Sequence, residues 1–148
     1  MSQQSEPEPT GFLLAQVCRL RHARTHELLS ELDLYRGQHH ILRALWQQDG
    51  LTHTELSRYA HVRRSTTTTT LQRMEKAGLV ERKHDAEDQR ISRVYLTPRG
   101  RALQGDVEQA WRQLDEETFA GFSLEERVLL RRFLIQIREN MMRVTEGR

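Results

Sequence analysis

Between Val62 and Thr97 the chain reads VRRSTTTTTLQRMEKAGLVERKHDAEDQRISRVYLT, and few folds accommodate that string. Threonine is a poor helix former, because its branched Cβ restricts χ1. Yet Leu71 and Met74 recur at helical spacing beyond the threonine run, and Gly78 stands where a helix closes in the left-handed conformation. The pattern predicts a helix with Ser65 as N-cap and Gly78 as its stop. Two strands, 79–84 and 91–97, flank the loop DAEDQR. A helix followed by a β-hairpin is the outline of a winged helix-turn-helix.

The rest of the chain reads as helices. Residues 12–32 carry Phe12, Leu13, Val17, Leu20, Leu28, Leu29 and Leu32 near helical spacing. A second helix runs from about Gly37 to Gln48, with Ile41, Leu42, Leu45 and Trp46 inward. Asp49-Gly50 marks a turn, and Thr52 with Glu55 forms a capping box for a short third helix bearing Leu56 and Ala60. Thr97-Pro98 opens a fifth helix striped by Leu103, Val107, Ala110, Trp111 and Leu114. Ser123 and Glu126 form a second capping box before a sixth. There Leu130, Leu134, Ile137, Met141 and Val144 recur at spacings of 4 and 3. Such a seam packs within its own chain or against a partner helix; one reading head supplies one half-site, which favours a dimer. The expected fold is mainly α, six helices with a small β-hairpin wing. Residues 1–11 read as a disordered tail.

Charge is concentrated on the head. Residues 58–101 hold 11 Lys and Arg against 5 Asp and Glu, a net of +6 in a chain whose formal net charge is +2. A basic cluster of this kind attracts phosphate. On the threonine helix, Thr67, Thr70, Leu71 and Met74 share one face, where a threonine hydroxyl can bond back to a carbonyl four residues earlier. Ser65, Thr66, Thr69, Gln72 and Arg73 share the opposite face, which is expected to enter the major groove of double-stranded DNA. Arg63 and Arg64 precede the helix and suit phosphate anchoring. In the loop, Asp88 stands two residues before Arg90. A carboxylate there can hold the guanidinium extended toward a narrow minor groove.

These strings resemble the MarR family of bacterial transcriptional regulators. RMEKAGLVER at 73–82, the D-x-R of Asp88 and Arg90, and YLTPRG at 95–100 carry the likeness, which spans about residues 12–145. The resemblance implies a homodimer built from a single domain over 12–148. In it, residues 12–34 and 98–148 supply dimerisation helices and 37–97 the winged head, with a recognition helix at about 65–77 and a wing tip at 85–90. It also implies a repressor of a pseudopalindromic promoter site that releases DNA when a small molecule, often a phenolic anion, settles between the dimer region and the head. Two departures stand out. Thr69 replaces an arginine common in the family's recognition helix, and Tyr35 and Gly37 replace a threonine-led start of the second helix, although Gln38 fits the pattern.

The sensed signal is less constrained. An anionic or aromatic effector is expected, with Arg21, His22, Arg43 and Trp46 as candidate pocket residues. His22, His26 and His40 are weak candidates for a metal-sensing site; the family's zinc sensors draw further ligands from the fifth helix, and residues 98–120 hold no histidine. Cys18, near Arg19 and Arg21, is a redox-sensing candidate, although a lone cysteine on an apolar stripe is commonly core. A non-specific architectural DNA-binding protein is the remaining rival. No cofactor is expected, and the absence of a nucleophile-base-oxyanion set or a glycine-rich phosphate loop argues against an enzyme. One cysteine, no membrane-length apolar run and no signal-peptide pattern lead to the expectation of a cytoplasmic protein with no membrane partner.

Overall fold

The computed structural model describes residues 8–35 and 37–147. The order is α1 (Thr10–Ser30), α2 (Gln38–Gln47), β1 (Leu51–Thr52), α3 (His53–Ala60), α4 (Arg64–Lys76), β2 (Val80–His84), β3 (Ser92–Leu96), α5 (Pro98–Thr118) and α6 (Leu124–Glu146). Two compact units divide the chain, Met1–Leu114 and Asp115–Arg148. Residues 1–7 of the expected tail lie outside the described residues, and α1 begins two residues earlier than its apolar pattern indicates.

In the first unit, Ile41, Leu42 and Leu45 of α2, Leu56 of α3, Leu71 and Met74 of α4, and Val80, Val94 and Leu96 of the sheet form one buried core. Val107 of α5 joins it. The sheet has three strands in the order β1-β3-β2, all antiparallel. Val80 faces Leu96 and His84 faces Ser92 across the hairpin. β1 contributes only two residue pairs, Leu51 with Val94 and Thr52 with Arg93. So short a strand leaves no period for sequence reading to detect.

Local chemistry accounts for the helix ends. Thr52 accepts the Glu55 N–H (3.3 Å) while the Glu55 carboxylate accepts the Thr52 N–H (2.7 Å), completing the expected capping box. At the start of α2, where the threonine cap is missing, the Gln38 side chain accepts the Tyr35 N–H at 3.1 Å. α4 ends with Gly78 at φ +72°. Leu79 N–H donates to the Met74 carbonyl and Gly78 N–H to that of Glu75, the paired bonds of a Schellman stop. Its start differs from expectation. Arg63, extended at φ −64° and ψ 148°, is the N-cap and makes no side-chain cap bond. His61 in the left-handed region closes α3, and Val62 N–H bonds back to Ser57. The tight turn lets α4 begin at Arg64, so Ser65 lies inside the first helical turn.

The segment after β3 ties α4, the sheet and α5 together. The Thr97 hydroxyl donates to the Gly78 carbonyl (2.5 Å) and accepts the Gly100 N–H (3.1 Å). Arg99 donates to the Ala77 carbonyl and Trp46 Nε1 to the Gly100 carbonyl, each at 3.0 Å. Gly100 is buried so closely that a Cβ there would lie 2.2 Å from the Leu79 carbonyl oxygen. No side chain fits without moving backbone.

Two faces stay exposed. Along α1 only Leu28 and Leu29 are buried; Phe12, Leu13, Val17 and Leu20, which recur near helical spacing in the sequence, are exposed. In the second unit, Phe119 packs edge-on to Phe122, and the predicted Ser123–Glu126 capping box opens α6. The predicted α6 seam is half-buried at Leu130 and exposed at Leu134, Ile137, Met141 and Val144. Among the described residues, no helix is long and apolar enough to cross a membrane.

Two α5 glycines give opposite expectations. Gly100→Ala should destabilise the protein by about 2–3 kcal/mol, the scale of overpacking a rigid core. Gly105→Ala, whose Cβ would meet nothing within 4 Å, should stabilise it by about 0.5–1 kcal/mol through helix propensity. Urea denaturation midpoints of the two variants check both signs.

Candidate nucleic-acid interface and a histidine-lined cavity

α3, the three-residue turn 61–63 and α4 make the helix-turn-helix. A buried polar contact joins the two helices. Ser57 donates to Thr67 Oγ1 at 3.0 Å, and Thr67 donates to the Arg63 carbonyl at 3.3 Å. With Leu71 and Met74 buried beside Thr67, the orientation of α4 is fixed by its inner face. Ser65, Thr66, Thr69, Gln72 and Arg73 all fall on the exposed side, as do Arg63 and Arg64 ahead of them.

Thr67, Thr68, Thr69 and Thr70 each donate the hydroxyl proton to the carbonyl four residues back, at 2.8 to 3.3 Å. Sequence reasoning placed such bonds on the inward threonines; they extend to outward Thr69 as well. Its hydroxyl proton is therefore committed to the helix, leaving lone pairs and a methyl for any outside partner.

Sequence spacing gave no sign of a second cross-link. His53, first residue of α3, reaches Thr68 with Nε2 to Oγ1 at 2.8 Å. Because the Thr68 proton goes to Arg64, Nε2–H is the donor, and Nδ1 is buried with no partner among the described residues. Burial first, then the charges of Arg64 and Arg82, lowers the His53 pKa and keeps the ring neutral.

The wing is braced by carboxylates. Asp85 accepts the amides of Glu87 (2.8 Å) and Asp88 (3.2 Å) and the Arg93 Nε–H (2.5 Å). Arg93 donates also to the Gly50 carbonyl at 3.0 Å, linking the wing to the turn before β1. At the tip, Arg90 meets Asp88 through two parallel contacts, Nε to Oδ1 at 3.1 Å and Nη2 to Oδ2 at 3.2 Å. The Arg90 side chain is nonetheless 90% exposed. Asp88 thus orients the guanidinium without burying it. Behind the tip, Arg82 pairs with Glu75 at 2.6 Å, fastening β2 to the end of α4.

A separate cavity of about 420 Å³ opens against α1 and α2 within the first unit. Of the predicted pocket residues, Arg21 and His22 line it; Arg43 and Trp46 do not, Trp46 being turned to Gly100. His26, His39, His40 and Trp111 complete much of its wall. His22, His26 and His40 share the cavity, but no group of three metal-ligating side chains forms among the described residues. Cys18 is exposed at this wall, where the apolar-stripe reading placed it in the core.

The comparisons agree with this geometry. Residues 34–92, from the α1–α2 connection to the start of β3, match the model of the MarR family. A transcriptional repressor of Mycobacterium bovis, Mb2911, is 32% identical over 130 residues, covering 88% of this chain and 94% of its own. The chain belongs to the MarR family. Among solved structures, BpsR of Bordetella bronchiseptica, whose DNA binding is regulated by 6-hydroxynicotinic acid, superposes with a TM-score of 0.75 at 25% identity, over 93% of this chain and 98% of BpsR. The reduced form of MarR from E. coli gives 0.77 at 28% identity, over 90% and 98%. As a MarR-family member the chain is a helix-turn-helix transcriptional regulator with a winged DNA-binding head.

Asp85 gives the wing a pH signature. The Arg93 guanidinium foremost, then the Glu87 and Asp88 amides, hold its pKa down to about 2. A depressed carboxylate stabilises the folded wing fully above the ordinary aspartate value and loses that contribution as pH falls through the lowered one. The Asp85 carboxyl signal in NMR should therefore titrate near pH 2. In Asp85→Asn, amide exchange at Glu87 and Asp88 at neutral pH should accelerate; a midpoint near 4 with unchanged exchange would remove the brace.

Proposed function

We propose that this regulator is a ligand-responsive repressor that occupies a pseudopalindromic promoter site as a homodimer. The α4 helix lies in the major groove and the 85–90 wing at the minor groove, with Arg63 and Arg64 on phosphates. The observation that carries this reading is the pairing of one exposed polar helix face with an arginine held outward by Asp88. Ser65, Thr66, Thr69, Gln72 and Arg73 supply hydroxyls, an amide, methyls and one guanidinium at base-edge height. Arg90 supplies the cation that a narrow minor groove attracts.

Residues 12–34 and 98–148 form the dimerisation helices and 37–97 the head. The exposed apolar residues of α1 and α6 support that division, since each lies at a helical spacing suited to a partner helix. Repression fits the M. bovis relative, a named repressor. The effector is a small aromatic or anionic molecule bound in the α1–α2 cavity. Its volume falls within the roughly 300–1,000 Å³ of small-molecule sites, and 6-hydroxynicotinic acid regulates BpsR.

Arg90→Ala tests the reading without touching the core. On a duplex that the wild-type protein selects, binding should weaken about tenfold, and the slope of log affinity against log salt should fall by about one contact. The thermal midpoint should not move. Equal affinity would remove the wing from the interface, and a lost fold would make Arg90 structural.

A further inference from the structure

The α1–α2 cavity gathers four histidines, with Cys18, Arg21 and Tyr35 as its other titratable lining groups. His22 and His26 enter from α1, and His39 and His40 from α2. The His39 and His40 ring centroids lie 3.9 Å apart, and His39 also faces Trp111 at 5.7 Å. The charged neighbours share one sign. Arg43 acts on both rings from α2, and Arg21 lines the wall from α1. The connection between the helices adds Tyr35, and α5 adds the uncharged Trp111. Among the described residues lining the cavity, none is an aspartate or glutamate.

Burial foremost, then His40, His22 and Arg43, lowers the His39 pKa to about 4. Burial and Arg43 lower that of His40. Burial and like-charged neighbours thus favour the neutral pair at pH 7. A carboxylate seated against the rings supplies a counter-charge and favours imidazolium. Leu29, Leu34 and Trp111 provide apolar wall for a ring. Two imidazolium ions this close repel, so the pair takes one proton rather than two.

Resting on the reading of this cavity as the effector site, we propose that it takes a planar aromatic carboxylate together with one proton, carried by the His39–His40 pair once the carboxylate is seated. By linkage, affinity then rises as pH falls, by up to about tenfold per pH unit while a full proton is taken up. Release from DNA responds jointly to an aromatic acid and to acidity.

Isothermal titration calorimetry of the intact wild-type chain with sodium benzoate tests this directly. At about pH 6.5, two buffers of different ionisation enthalpy give the proton count; benzoate stays ionised there, as carboxylates titrate near 4. The expected result is saturable binding, net uptake of between about 0.3 and 1 proton, and a dissociation constant falling at least about fivefold from pH 8 to 6. The His39→Gln/His40→Gln variant should bind without uptake or slope. Saturable binding with buffer-independent heat in the wild type, or uptake that persists in the variant, overturns the proton-coupled site. The wild-type result stands whether or not the variant folds. No saturable heat with benzoate or 6-hydroxynicotinate instead fails the effector-cavity reading beneath it.

Discussion

The close approach of Gly100 to the Leu79 carbonyl is the constraint on which the winged head depends. A Cβ at position 100 would stand 2.2 Å from that oxygen, so α5 can begin there only with glycine. Around it, Trp46 caps the Gly100 carbonyl, Thr97 bonds Gly78, and Arg99 bonds Ala77. Four elements meet at this point: the end of α4, both hairpin strands and the first turn of α5. These bonds join the C-terminal end of α4 to the start of α5 within the first unit.

The surface of α4 follows from the same economy. Four successive threonines return their hydroxyl protons to the helix backbone, so those donors are satisfied within the helix. What remains outward at Thr69 is a methyl and an acceptor, a chemistry suited to thymine methyls and base amino groups rather than to phosphate. Arg63 at the α4 N-cap, Arg64 and Arg73 on α4, and Arg90 at the wing tip are exposed cations of the same head.

Much of the head was legible in the sequence because its decisive interactions are local. Thr52 with Glu55, Gly78 at a helix stop, and Asp88 with Arg90 all lie within four residues of their partners or need none, as do Ser123 and Glu126 at the start of α6. Contacts across the fold left no such trace. β1 exists only because Val94 and Arg93 come alongside Leu51 and Thr52; His53 meets Thr68 fifteen residues away. Trp46 reads as a pocket residue by type, but its indole is taken by Gly100. The α1 stripe and the α6 seam are written in the same apolar period as the core, and nothing in that period tells a buried face from one left exposed. That His39 and His40 share one cavity with His22 depends on how α1 and α2 pack.

Selection of bound duplexes from a random library, with binding to the winner followed across salt, tests the central claim most directly. The account predicts a two-fold symmetric site whose half-sites lie about one helical turn apart. It also predicts specific binding that survives salt concentrations at which binding to scrambled duplex is lost. Recovery of no enriched site, with affinity for every duplex collapsing together as salt rises, would contradict it and leave a DNA-coating protein in place of a repressor.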